Sequence, residues 1–251
     1  MIAHARHDER GKYTGGKAGD QDGTEVAVTE WYDRPWTHVL RCKDSVKREL
    51  IARCAEGIAS NPYIGYDQGH RLTLYNVMKK VGFDPLKVTE PVECDCSSLV
   101  AVCCRAAGID VDPDLYTGSE RQLLMDTGLF HTITGEILKD PDQALRGDIW
   151  LYEYHHTAVN TTYGKKVHLY PVGWNHDKSG WWYADTPNTF PFSCWKLINN
   201  RWYYFDKRGY AVKGMYVIDG ERYYFSEKND SEQCQLMRTD NTGALYPWIV
   251  K

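Results

Sequence analysis

The stretch ECDCSSLVAVCCRAAGI, Glu93 to Ile109, brings together Cys94, Cys96, Cys103 and Cys104, half of the eight cysteines in the chain. Thiols this dense serve as disulfide partners, metal ligands, packing groups or a nucleophile. The stretch is helical in pattern: Leu99, Val100, Val102, Cys103 and Ala106 are apolar, and Gly108 suits the C′ position. Asp95 can cap such a helix, which puts Cys96 in its first turn, where unpaired N–H groups and the positive dipole end favour thiolate over thiol. Cys103 and Cys104 lie two turns further in and are expected to pack, as are the scattered Cys42, Cys54, Cys194 and Cys234.

A thiol nucleophile needs a base, and the base an orienting partner. EYHHTAVNTTYGKKVHLY supplies His155, His156 and His168. Side chains alternate across a strand, so only one of the adjacent pair can face Cys96. A hairpin turning near Gly164 would set His168 on the neighbouring strand. Histidines on a solvent-facing hairpin are the plainer alternative, but a Cys at a helix start followed by strand histidines is a more specific arrangement. A zinc set of Cys94, Cys96, His155 and His156 is the competing chemistry, disfavoured because Cys-x-Cys at a helix start and an adjacent His-His pair do not converge on a tetrahedron. DQDGTE, Asp20–Glu25, hints at calcium, yet Gly23 at its fourth position departs from an EF-hand loop. No metal or other cofactor is expected.

The elements that must hold these residues read as α+β over residues 1 to about 170. EVAVTEWY (25–32) and THVLR (37–41) read as paired strands. A helix over KDSVKRELIARCAEGIASNP has Asp44 or Ser45 as cap, Val46, Leu50, Ile51, Cys54 and Ile58 on one face, and Pro62 as the stop. RLTLYNVMKKVGF gives a second helix, and Ser119 with Gln122 a capping-box pair before a third.

Composition limits the partners. With 34 acidic and 30 basic residues and a net charge of −4, the chain lacks the basic block that phosphate binding needs, so no nucleic acid is expected. The longest apolar run, Leu99–Cys104, is too short to span a bilayer. MIAHARHDERGKYTGG has no apolar signal-peptide core, so synthesis in the cytoplasm with reduced thiols is expected.

Beyond Val172 the sequence turns aromatic and repetitive. Trp181-Trp182-Tyr183, Trp202-Tyr203-Tyr204 and Arg222-Tyr223-Tyr224 recur at steps of 21 and 20 residues. That period marks stacked β-hairpins, placing a second, solenoid-like domain at 178–251 after a linker around VGWNHDKSG. The third copy departs, with Arg222 in place of Trp and an insertion at SEKNDSEQCQLMRTD.

ECDCSSLV, LRGDIWLY and HHTAVNTTYGKKVHL together resemble the NlpC family of papain-like cell-wall cysteine peptidases. The resemblance implies a papain-like domain over residues 1–172, with a helix-borne Cys packed on an antiparallel sheet. It implies Cys96 as nucleophile, His156 as base and His168, twelve positions on, as the third catalytic residue; Asp95, Ser97, His155 and Tyr66 would support them. The N-terminal segment is similar to the opening of phage lysins. The repeats resemble those of choline-binding and glucan-binding proteins, which implies a site for wall glycan or choline at Trp195, Trp202, Tyr210 and Met215. Aromatic faces attract quaternary ammonium, by about 0.5–2 kcal/mol each, although in so small a β module most of the rings must also form the core.

The expected protein is a peptidoglycan hydrolase, endolysin- or autolysin-like, cutting an amide bond of the stem peptide and acting on the wall after release. A CHAP-like N-acetylmuramoyl-L-alanine amidase and a non-catalytic wall-binding protein are the alternatives.

Overall fold

In the computed structural model, residues 1–228, 233–239 and 245–248 are described, and the chain divides into two units, Met1–Val167 and His168–Lys251. Part of the insertion expected at 226–240 lies outside the described residues.

The first unit runs β1 (Ile2–Ala5), β2 (Val26–Thr29), β3 (His38–Cys42), α1 (Ser45–Ala59), β4 (Ile64–Tyr66), α2 (Thr73–Lys80), β5 (Val92–Cys94), α3 (Cys96–Ala106), α4 (Glu120–Asp126), β6 (Phe130–Ile133), β7 (Ile149–Tyr152) and β8 (His156–Asn160). Six strands form an antiparallel sheet in the order β2-β1-β8-β7-β3-β6, and β4 pairs with β5 in parallel. Leu99, Val100 and Val102 of α3, Ile51 and Ile58 of α1, and Ala3, Leu40, Ile149 and Val159 of the sheet share one buried core.

Local rules explain the helix ends. Asp44 caps α1, its carboxylate accepting from the Val46 and Lys47 amides. The buried face of α1 is Arg48, Ile51, Ala52, Cys54, Ala55 and Ile58, whereas Val46 and Leu50, expected inside, are exposed. Ser119 makes no side-chain cap on α4, and Gln122 bonds instead to Asp126 at 2.7 Å.

Two expected strand pairings are replaced. β3 lies between β7 and β6 while β2 pairs with β1, so the THVLR strand does not partner the EVAVT strand. The hairpin bearing the adjacent histidines is β7–β8, turning at Glu153–His155; residues 165–172 form no strand. The free edge of β8 is taken by β1, with Ile2 opposite Asn160 and Ala3 opposite Val159.

The Arg-Gly-Asp signature before β7 locks this hairpin in place. The fully buried Asp148 carboxylate takes a bidentate bond from Arg41 of β3 (2.8 and 2.6 Å) and the Leu145 amide at 2.7 Å. Arg146 reaches Glu49 (2.9 Å) and Glu56 (2.6 Å) of α1. Gly147 sits at φ +83°, and a Cβ there would overlap the Arg48 carbonyl, so only glycine lets α1 approach so closely.

The second unit is built of hairpins: β9 (Gly173–Asp177) with β10 (Gly180–Ala184), β11 (Cys194–Ile198) with β12 (Arg201–Phe205), and β13 (Gly214–Ile218) with β14 (Glu221–Phe225). β15 (Leu236–Thr239) and β16 (Leu245–Pro247) extend the third. The segment expected as a linker is therefore β9 and its turn. Trp174 packs edge-on to Tyr203 of the next hairpin (4.8 Å), and Trp195 repeats the contact on Tyr223 (4.9 Å). The sequence period is this contact repeated.

Candidate active site

Asp95 accepts the Ser98 amide at 2.7 Å while the Ser98 hydroxyl accepts the Asp95 amide at 2.9 Å, a reciprocal capping box that starts α3 at Cys96. Ser97 donates to the same Asp95 carboxylate (3.1 Å), and Arg71 pairs with it at 3.2 Å. The backbone N–H of Thr157 in β8 lies near enough to the Cys96 sulfur to favour its thiolate, so the helix start meets the strand one residue past His156. Tyr66 is buried close by, and burial together with the charges of Cys96 and Asp95 raises its phenol.

His156 opens β8, and His155 is the last residue of the turn before it. His156 is buried, whereas His155 is exposed and stacks on Tyr152 at 4.1 Å. The partner of His156 is one that sequence reasoning missed: its Nε2 lies 2.9 Å from Nδ1 of His4, in β1. His168 belongs to the second unit, outside any strand, with its ring against Tyr170 at 4.3 Å. The strand expected to carry it does not form, and β1 holds the edge of β8 that such a strand would need. The one local signal for His4 was a lone histidine within the short run Ile2–Ala5.

The hydrogen-bond chain assigns the protons. With the Thr29 hydroxyl given to the Glu30 carbonyl (3.2 Å), the His4 Nε2–H donates to Thr29 at 3.1 Å; the tautomer of each ring follows from that choice. His4 Nδ1 is then an acceptor, His156 Nε2 must carry the hydrogen, and His156 Nδ1 is left with a free lone pair. Burial, with Arg6, Arg34 and His7, holds His4 down to about 3; burial, His4 and Arg34 hold His156 well below its usual value. Both rings are neutral.

The thiolate expected from the helix dipole is not the resting form. Burial first, and then Asp95, push the Cys96 thiol up to about 12, against smaller lowering by the Thr157 amide and Arg71. A helix N-terminus is worth at most ~2 kcal/mol, too little to offset removing the sulfur from water. Cys96 is thus held as a thiol and His156 as a neutral imidazole.

The proposed zinc residues do not converge: the Cys94 thiol points to the Gly65 carbonyl at 3.6 Å and His155 faces outward. Among the described residues, Asp20, Asp22 and Glu25 bring three carboxylate oxygens within 4.8 Å of one another. Asp20 and Asp22 oxygens accept amides of their own turn, and Glu25 bonds to the Gln21 and Tyr66 amides, both at 2.9 Å.

In the second unit, Trp195 and Trp202 are packed among Tyr204, Tyr223 and Phe225, and Met215 is exposed. Tyr210 lies apart from them. It joins Tyr170, Trp182 and Phe190, with Asp177 and Arg208, around a cavity of about 130 Å³. Its hydroxyl donates to Asp177 at 2.9 Å, and Trp182 stands 4.8 Å from Tyr170 and 5.8 Å from Phe190. The four expected ligand residues therefore do not form one site.

A helix-capped thiol against a histidine-bearing antiparallel sheet, followed by aromatic hairpins, is a two-part architecture, and both parts match known families. The chain belongs to the endolysin-like domain family, whose model matches residues 2–167, and residues 193–232 match the choline-binding repeat. It is similar to the lysin of Pneumococcus phage Dp-1, at 35% identity over 78 residues, 30% of this chain; it spans only 25% of that relative's length. Solved structures sharing lower similarity include the pneumococcal endolysin of phage Cp-1 complexed with choline (22% identity, 36% of this chain and 29% of that one, TM-score 0.23). Choline-binding protein F of Streptococcus pneumoniae is another, at 24% identity, 30% and 28% coverage and TM-score 0.23.

Proposed function

We propose that the protein is a peptidoglycan hydrolase that cleaves an amide bond of the wall stem peptide with a thiol nucleophile, in a papain-like domain related to the NlpC type, and that its repeats hold it to the wall. The single observation that carries the reading is the chain Thr29–His4–His156, which leaves one unprotonated ring nitrogen on the strand that also meets the Cys96 sulfur.

Cys96 Sγ attacks the substrate carbonyl carbon while its proton passes to His156 Nδ1. Because both partners begin neutral, transfer accompanies attack, as in serine hydrolases. Backbone N–H groups at the start of α3, including that of Cys96, hold the oxyanion. The imidazolium then protonates the leaving amine, giving an acyl-thioester; water, deprotonated by His156, releases the acid and the thiol. His4 takes the role first given to His168, fixing the tautomer and sharing the charge His156 gains.

The cavity around Tyr210 and Trp182 suits a quaternary ammonium group of the size of choline, with Asp177 as counter-charge. Endolysin-like membership and choline-binding repeats favour a catalyst over a purely adhesive protein.

The test is lysis of purified pneumococcal walls by the full chain. The thiol reading expects lysis to survive EDTA and to stop with an alkylating agent or with Cys96→Ala. Lysis lost to EDTA and kept in Cys96→Ala would overturn it, since removing a metal removes its activated water. Mass spectrometry of the released fragments separates endopeptidase from amidase cleavage.

A further inference from the structure

Glu120 opens α4 and is wholly buried, yet only one of its oxygens has a partner. Oε1 lies 2.7 Å from the Thr157 hydroxyl oxygen, which also stands 3.0 Å from the Trp150 carbonyl. A hydroxyl has a single hydrogen. Were Glu120 a carboxylate, the single Thr157 hydrogen could not serve both contacts at once, and Oε2 would be a buried anionic oxygen with no bond. A neutral acid resolves both: its O–H is given to Thr157, Thr157 gives its own to Trp150, and Oε2 is left as a carbonyl oxygen, which is cheaper to bury unpaired.

Resting on the thiol reading above, we propose that Glu120 is a positioning residue held as a neutral acid: its proton fixes the Thr157 hydroxyl, steadying the residue whose amide meets the Cys96 sulfur, and keeps negative charge away from that sulfur. The groups facing it are Asp95, Cys96 and Cys104 of α3 and Thr157 of β8; Arg121 of its own helix is turned to Glu153 at 2.6 Å. Burial, and then Asp95, push Glu120 up to about 8 against the lowering bond from Thr157, and an ionised Glu120 in turn raises the Cys96 thiol. Below about pH 8 the acid is neutral; above it a carboxylate opposes the charge that develops on sulfur. Cys96 stays a thiol and His156 neutral across this range, so a descending limb near 8 reports Glu120.

The experiment is the pH–rate profile of wall lysis for the full chain, Glu120→Ala and Glu120→Gln, with parent-minus-variant infrared spectra of the protonated carboxyl band. Glu120→Ala is expected to slow lysis about tenfold, the loss of one buried hydrogen bond. Glu120→Gln, whose amide can donate to Thr157, recovers most of that rate and lacks the descending limb. The parent-minus-Gln spectrum shows a protonated carboxyl at about pH 6 that is gone by about pH 10. A limb that persists in Glu120→Gln, or no carboxyl band, overturns the proposal. If Glu120→Ala does not fold, the Gln variant and the spectrum decide. Lysis that survives Cys96→Ala sinks the thiol reading separately, because the infrared band does not depend on it.

Discussion

His156 and His4 meet at 2.9 Å, Nε2 to Nδ1, across 152 residues of sequence, and this contact assigns the base its free nitrogen. His4 depends on Thr29 in turn, so three strands contribute to one proton position.

Cys96→Ala should abolish lysis with the fold intact. Cys94→Ala and Cys104→Ser should keep most activity, because those thiols are fully buried and serve packing. Turbidity loss of wall suspensions measures it; equal loss by all three variants would place the essential sulfur elsewhere.

Removing the base should cost about 10²–10⁴ in rate for His156→Ala, and removing its partner about 10–100-fold for His4→Ala. His155→Ala and His168→Ala should remain near the parent rate. A large loss in His168→Ala with none in His4→Ala would restore the first assignment.

Acid should destabilise the fold through His4. Its folded value, about 3, lies below the ordinary 6.5, so the unfolded chain binds the extra proton first. That stability is fully present above about pH 6.5 and is lost as pH falls toward 3. Glu93 and Glu120 act oppositely: raised to about 8 from 4.5, they contribute fully below 4.5 and lose their contribution as pH rises through 8. Chemical denaturation across pH should show His4→Gln flattening the acid side alone.

Resting Cys96 should react slowly with iodoacetamide at neutral pH, because the free enzyme holds it as a thiol. Mass-spectrometric labelling rates at several pH values check this. Rapid labelling below pH 7 would mean an ion pair at rest.

Asp148→Ala should destabilise the first unit by about 3–5 kcal/mol, since it strands Arg41 beside a buried site. Gly147→Ala should also be severe, because the left-handed φ and the Arg48 carbonyl both reject a side chain. In the second unit, Trp182→Ala should weaken retention on choline-substituted resin by about 1–2 kcal/mol, with Met215→Ala close to neutral.

What was legible in the sequence was local or periodic. Asp95 announced the start of α3 because a cap acts within four residues, and the family register chose His156 over His155, the one buried at the start of β8 and the other exposed in the turn. The hairpins showed themselves because Trp174–Tyr203 and Trp195–Tyr223 are one contact repeated. His4 was hidden because no local pattern says which strand closes the edge of β8, and the nearer His168 filled the vacancy by proximity in sequence. The charge state of Cys96 was hidden for a related reason: the dipole of its helix is written beside it, while the burial that outweighs the dipole arises only in the packed fold. Trp195 and Trp202 were taken for ligand residues because packing and binding call on the same side chains.

The pairing of β1 with β8 also has a consequence in time. A growing chain makes His4 152 residues ahead of His156, about 8–30 s at common synthesis rates. Until then the edge of β1 has no β8 to join, so a half-made chain contains Cys96 and His4 without His156. The order of the strands is thus also a clock, keeping Cys96, His4 and His156 from meeting until nearly the whole first unit has been synthesised.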